Sequence, residues 1–164
     1  MEKYTFFWGK QDVFSQWHPA VFVHEGEEFT CAEQAMMYRK AILFGDTAVA
    51  QELLTVSHPS AHKQLGRKVR NFDDKVWNKH REQIVYDINL DKFTQNPKML
   101  AALMQTKGTK LAEASPYDKI WGIGFKSSDP RAKDSAKWTG LNLLGKALTR
   151  LRDNLENSAS AEAN

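Results

Sequence analysis

Along the chain the apolar positions first alternate and then recur at helical spacing, and the switch falls near Thr30. Tyr4 to Trp8 is aromatic and β-prone, while Ala20 to His24 and Glu27 to Thr30 flank Glu25-Gly26 as the two arms of a hairpin. From Thr30, Ala32, Met36 and Leu43 form one helical row and Met37, Ala41 and Phe44 a parallel one, until Gly45-Asp46 stops the run. Asp46 is placed to cap a second helix through Val56. Pro59, tolerated in a first helical turn, opens a third through about Val69. Asp73 caps a long helix with Val76, Trp77, Ile84, Ile88 and Phe93 facing inward, and Asn96-Pro97 restarts the chain as a short one.

Beyond Gly108 the pattern loosens. Leu111 to Ala114 and Ile120 to Phe125 predict short strands, whereas Lys126 to Lys137 (KSSDPRAKDSAK) is a polar connection with no apolar period, long enough for a functional loop. A last amphipathic helix is expected from Leu141 to Leu155, with Leu144, Leu148, Leu151 and Leu155 on one side. The stretch 157–164 (NSASAEAN) has nothing to bury and predicts a disordered tail. With no internal repeat and no linker, residues 1–156 read as a single compact, helix-dominated α+β domain in which a few short strands frame a cleft.

Composition narrows the function classes. The 164 residues, 41% of them apolar, suit one core, and 26% charged residues with 9 Gly and 5 Pro exclude a collagen-like, low-complexity or disordered chain. The net charge of +3 suits an anionic ligand but falls short of the basic stripe of a dedicated nucleic-acid binder. The lone Cys31 excludes an intrachain disulfide. No basic-then-apolar leader is visible, and no apolar run approaches the ~18 residues of a membrane span, so a reducing cytoplasm is expected. Five tryptophans, Trp8, Trp17, Trp77, Trp121 and Trp138, are many for this length.

The densest chemical signal is Thr30 to Lys40, TCAEQAMMYRK. Glu33 and Lys40 are seven residues apart, about 700° of rotation and about 10.5 Å of rise on a helix, so both lie on nearly one face with Met37 between them. A carboxylate and an amine on a largely apolar stripe are unusual, because core-facing stripes normally carry neither. A structural role competes: Thr30-x-x-Glu33 matches a capping box, and a lysine at a helix end is favoured by the macrodipole. Trp121-Gly122-Ile123-Gly124, with Asp118 just upstream, resembles a stacking platform for a flat heterocycle, although bulges and tight turns also use Gly-x-Gly. Gly140-x-Asn142-x-x-Gly145 opens the last helix, where free N–H groups could hold a phosphate or where close packing demands small residues. Gly66-Arg67-Lys68 ends another helix with two cations.

Other chemistries find less support. His58 and His62 have i, i+4 spacing but neither an intervening acid in a zincin pattern nor a third ligand, so no metal is expected. Cys31 stands just before the helix, and nothing in the sequence places a histidine beside it. Phe6, Phe7, Trp8, Phe14 and Trp17 read as core and cleft wall. Together these residues suggest a cleft for an anionic, aromatic, sugar-bearing molecule.

In order, Phe7-Trp8, Phe14-Ser15-Gln16-Trp17, Phe29 to Gln34 with Lys40, Leu65-Gly66-Arg67, Trp77, Asp118 with Trp121-Gly122-x-Gly124, and Gly140-x-Asn142-x-x-Gly145 resemble the NADAR family, the YbiA-like N-glycosidases. The resemblance runs from Thr5 to Leu155. Glu33, Gln34 and Lys40 occupy the family pattern S/T-x-E-H/Q-x-x-x-x-x-K, while Ser15-Gln16-Trp17 departs from the commoner Ser-Asn-Phe. It implies cleavage of a ribose C1′–N bond without cofactor or metal. The implied substrates are early phosphoribosylated aminopyrimidines of riboflavin synthesis or, alternatively, ADP-ribose on guanine in nucleic acid, the only setting in which nucleic acid is a partner. A non-catalytic sensor of NAD or ADP-ribose is the reading from another class. The implied catalytic residues are Glu33, Lys40 and Asp118. Phe7, Trp8, Trp17, Gln34, Gly66, Arg67, Trp77, Trp121, Gly122, Gly124 and Asn142 are implied to bind substrate, and Arg67, Lys68, Lys126 and Arg131 are candidates for its phosphate.

Overall fold

The computed structural model describes residues 2–163; Met1 and Asn164, the last residue of the expected tail, lie outside the described residues. The fold is α+β and helix-dominated, as expected from the sequence, with six α-helices and four short strands among the described residues. Contacts cluster the chain into two units, residues 16–96 and a second built from residues 1–15 and 97–164.

In the unit of residues 16–96, β2 (Phe22–His24) and β3 (Glu27–Phe29) form the expected antiparallel hairpin. Glu25 and Gly26 turn it with φ of 52° and 79°, the paired left-handed values of a tight two-residue hairpin turn. Four helices follow: α1 (Ala32–Leu43), α2 (Thr47–Leu53), α3 (Pro59–Arg67) and α4 (Asp74–Thr94). The first six residues of α1, Ala32 to Met37, are all buried, so this helix is enclosed on every side where it begins. Gly45, at φ 73°, ends the segment after it, and Asp46 caps α2 by accepting from the Val49 N–H. The same buried carboxylate accepts from the Arg70 N–H, which with the guanidinium holds it below the ordinary carboxylate range. Helix α4 grips the hairpin: the Gln95 side chain bonds both N–H and C=O of Val23, and His24 Nδ1 lies 2.6 Å from Asp91. Trp77, Ile84, Ile88 and Phe93 are buried as expected, but Val76 is 37% exposed, because it sits about 100° off the stripe of Trp77, Ile84 and Ile88.

In the other unit, β1 (Tyr4–Phe7) pairs in parallel with β4 (Lys110–Glu113), and α5 (Pro97–Met104) and α6 (Leu143–Ala163) complete it. Parallel pairing of two strands needs a long crossover, which the intervening chain supplies. The expected strand at Ile120 to Phe125 does not form. Asp118 Oδ1 instead accepts from the N–H groups of Ile120 and Trp121, and Gly124 turns at φ 86°, so the segment runs as successive bends. Its carbonyls are not orphaned: those of Lys119 to Ile123 accept from the N–H groups of Gly140 to Leu144. The polar connection contains two 3₁₀ turns, Pro130–Lys133 and Ser135–Lys137. Leu144, Leu148 and Leu151 of α6 are fully buried. The helix also continues through residues 157–163, where a disordered tail was expected; Ala and Glu are good helix formers, and extending an existing helix avoids the cost of nucleation.

Gly140 and Gly145 of this unit are fixed by packing. A Cβ on Gly140 would stand 2.2 Å from the Gly122 carbonyl oxygen, and one on Gly145 2.3 Å from that of Leu111. Gly140→Ala is therefore expected to destabilise the protein by about 2–3 kcal/mol, the range for overpacking a tight backbone contact. Chemical denaturation checks this; an unchanged midpoint would show that the two segments can part without cost.

Candidate active site

The carboxylate and amine singled out on the sequence both sit on α1. Glu33 is buried, 5% exposed, and its backbone N–H donates to the Gln16 carbonyl at 2.9 Å. The expected capping box is displaced by one residue: Cys31 is the N-cap, and Gln34 rather than Glu33 reaches back to bond the Thr30 N–H at 2.8 Å. Gln34 also donates to the carbonyls of Leu53 and Val56, so its amide is consumed by the fold rather than offered to a substrate. The backward bond to Thr30 is therefore made by Gln34.

Lys40, two stripe positions on, is half-buried. Its Nζ donates to the Gly66 carbonyl at 2.8 Å and lies over the rings of Phe72, 4.5 Å away, and Trp77, 5.8 Å away. Gly66 permits this geometry through helix packing, since a Cβ there would stand 2.0 Å from Met37 Sδ. Helices α1 and α3 thus meet backbone to side chain, and the last turn of α3 presents its carbonyl to the amine. Burial pulls the Lys40 amine below the ordinary lysine range; Glu33 and Asp74 oppose the shift, and Arg67 adds to it. One carboxylate, one partly desolvated amine and two aromatic faces are therefore gathered on α1, α3 and the start of α4.

Phe72 and Asp74 were missed by sequence reasoning. Phe72 precedes the α4 cap Asp73 and Trp77 is the fourth residue inside, the two positions of a hydrophobic staple. That pattern was the available signal. Arg67 is exposed at the end of α3, Trp77 is buried and Trp17 is half-buried.

The remaining candidates belong to the other unit. Phe7 is core, 2% exposed and packed edge-on against Phe14, whereas Trp8 is exposed with its ring 6.0 Å from that of Tyr117. Asp118 and Trp121 are partly buried in the bends already described. Gly122 is closed in by the carbonyls of Asp118 and Glu113, and Gly124 by the Thr139 hydroxyl. Asn142, at φ 53°, accepts from the Glu113 N–H and donates to the Leu111 carbonyl. Its amide ties β4 to the start of α6, the packing alternative for that motif. Arg131 pairs with Asp129 and lies over the Phe125 ring; Lys68 and Lys126 are exposed.

Contrary to the sequence reading, Cys31 does have a histidine beside it. Its Sγ lies 3.6 Å from His62 Nδ1, while His62 Nε2 lies 2.7 Å from the Val56 carbonyl. The carbonyl requires a proton on Nε2, leaving Nδ1 to accept from the thiol, so the ring does not act as a metal ligand in this arrangement. Burial pushes the Cys31 thiol up to about 11, the opposite of an activated cysteine. At about pH 8 only about one thiol in a thousand would be ionised. A disulfide thiol reagent is expected to leave Cys31 untouched in the native protein and to label it at once after denaturation. Rapid native labelling would overturn this. Among the described residues no group of His, Cys, Asp and Glu is arranged to hold a metal ion, and no helix is long and apolar enough to cross a membrane.

The model of the NADAR domain matches residues 6–156. The chain belongs to the NADAR family. Among NADAR relatives, the N-glycosidase R617 of Acanthamoeba polyphaga mimivirus is 42% identical over 163 residues, covering 93% of this chain and 96% of that protein. The riboflavin biosynthesis protein PYRR of Arabidopsis thaliana, a chloroplastic protein, is 33% identical over 118 residues, 71% of this chain but 17% of its own length. In three dimensions the NADAR chain is similar to Escherichia coli YbiA, solved by NMR, with a TM-score of 0.78 and 25% identity over 97% of this chain and 89% of that one.

Proposed function

We propose that this N-glycosidase of the NADAR family hydrolyses the C1′–N bond of early phosphoribosylated aminopyrimidine intermediates of riboflavin biosynthesis, releasing ribose 5-phosphate and the free aminopyrimidine. The observation that carries the reading is the Glu33 and Lys40 pair: a buried carboxylate, and on the same helix an amine drawn down by burial beside two aromatic rings. The occurrence of a similar segment within PYRR supports the substrate class.

The chemistry follows from the bond. Cleavage at C1′ develops positive charge on the sugar, which a buried carboxylate stabilises more strongly than an exposed one would. Glu33 fills that role and receives the proton of the attacking nucleophile. A glycosylamine also ring-opens to an imine at C1′. The neutral Lys40 Nζ adds to that carbon, the carbon–nitrogen bond to the pyrimidine breaks with a proton passing to the departing amine, and a lysine imine is left. Water then adds to C1′, the lysine nitrogen leaves as the free amine, and the sugar aldehyde closes to ribose 5-phosphate. Substrate and one water give two products with no oxidant or reductant. Trp77 and Phe72 contribute aromatic faces beside the amine, and Arg67 lies at the end of α3 where an anionic group is favoured by charge.

Incubation of the purified protein with such an intermediate, anaerobically and with chelator, should release ribose 5-phosphate and the aminopyrimidine, followed by mass spectrometry. ADP-ribose released instead from ADP-ribosylated guanine would move the substrate to the family's other class. Tight calorimetric binding of ADP-ribose without turnover of either substrate would make the protein a sensor and reject the enzymatic reading.

A further inference from the structure

The unit of residues 1–15 and 97–164 contains a cavity of ≈ 610 Å³, made by β1, the strand β4, the second 3₁₀ turn and α6. Its size falls in the range of small-molecule sites. Of the residues implied to act on or bind substrate only Asn142 lines it, and its amide is held by the Glu113 N–H and the Leu111 carbonyl.

One wall is aromatic. The rings of Tyr4 and Trp138 lie 5.2 Å apart at 56°, and both are anchored against the buried cluster of Ala112, Ala114, Ile123 and Ala132. The polar edge of Trp138 is already used, since Nε1 donates to the Ala132 carbonyl at 2.9 Å. The exposed Leu141 adds a further apolar edge. Another part of the lining is charged, and its acids are engaged. Glu2 is paired with Lys110 and accepts from the Tyr4 hydroxyl, while Asp153 accepts from the buried Arg152. On α6, Lys146 and Arg150 stand one turn apart on the same face of the cavity. Lys146 is exposed and makes no ion pair among the described residues. Once the paired charges are set aside, the lining offers aromatic faces and an uncompensated cation.

From this arrangement we infer a second binding site, on β1, Trp138 and α6, for a small anion bearing a flat ring, of the class of a nucleoside monophosphate. The ring packs against Tyr4 and Trp138, and the anionic group meets Lys146 with Arg150 beside it. The inference does not rest on the proposed reaction, whose substrate combines similar chemical groups but is assigned to α1, α3 and α4.

Adenosine 5′-monophosphate is the probe, titrated into isotope-labelled protein while the tryptophan indole and backbone N–H resonances are followed. Saturable shifts are expected at the Trp138 indole and around Lys146. Lys146→Glu, an exposed change that leaves the core intact, should weaken binding at least about tenfold. Adenosine and ribose 5-phosphate should each bind far more weakly than the nucleotide. Shifts confined to Trp77, Trp121 or other resonances, an affinity unchanged in Lys146→Glu, or equal affinity for ribose 5-phosphate alone would each overturn the site. Turnover of the riboflavin intermediate by Lys146→Glu should match the parent, so loss of this site and failure of the proposed reaction are read separately.

Discussion

Glu33→Gln should lower turnover by about 10³-fold while leaving the fold in place. The substitution keeps the volume and most of the hydrogen-bonding capacity of a side chain that is 5% exposed, and it removes only the charge and the basic oxygen. Helix capping is unaffected, since Gln34 makes the backward bond to Thr30. A residue that served only to cap or pack would show the reverse: lower thermal stability with nearly normal turnover. Parallel measurement of kcat and of the unfolding midpoint separates the two. Because stabilisation of charge at C1′ is a property of the transition state, kcat is expected to fall more than KM rises.

Lys40 should be equally indispensable, and its replacements tell its role apart. Lys40→Met removes the amine and is expected to abolish turnover. Lys40→Arg keeps the positive charge but cannot form the imine, so it too should be inactive; an active Lys40→Arg would make the side chain a charge anchor. The pH profile carries a second signature. The amine must be neutral to attack, so the rate limb that reports Lys40 should rise with pH at a position below that of an ordinary lysine. The stability linkage has a definite sign. A lysine whose native pKa lies below its unfolded value binds fewer protons when folded, so stability rises with pH between the native and the unfolded value. The charged amine is therefore least well tolerated below its native pKa. Lys40→Met, compared with the parent by denaturation across that window, should lack this rise. A parent and variant with identical pH slopes would contradict a partly desolvated amine.

Much of this was legible in the sequence, for local reasons. The hairpin follows from Glu25-Gly26, a pair that accepts left-handed φ, and α1 to α4 follow from apolar period together with Asp46, Pro59 and Asp73 at their starts. The stripe of Glu33 and Lys40 needed only helical geometry. What escaped was decided by tertiary contacts. The run Ile120 to Phe125 has β-prone residues, yet Asp118 captures its amides and Gly140 to Leu144 take its carbonyls, from far along the chain. Gly66 and Gln34 are implied to bind substrate only by the resemblance; that Met37 lies against Gly66 and that the Gln34 amide bonds Leu53 and Val56 are tertiary contacts which no local pattern announces. The neighbourhood of Lys40 depends on α3 and α4 meeting α1, which no spacing in the sequence encodes. Likewise His62 reaches Cys31 only because α3 packs against α1.

The central claim is that α1 carries the covalent step of C1′–N cleavage. Borohydride reduction during turnover of the phosphoribosylated aminopyrimidine, followed by intact-mass analysis and peptide mapping, tests it directly. The expected result is one reduced pentose phosphate on the peptide containing Lys40, absent without substrate and absent in Lys40→Arg. An actively turning-over protein that yields no adduct, or one modified at a lysine elsewhere, would contradict it.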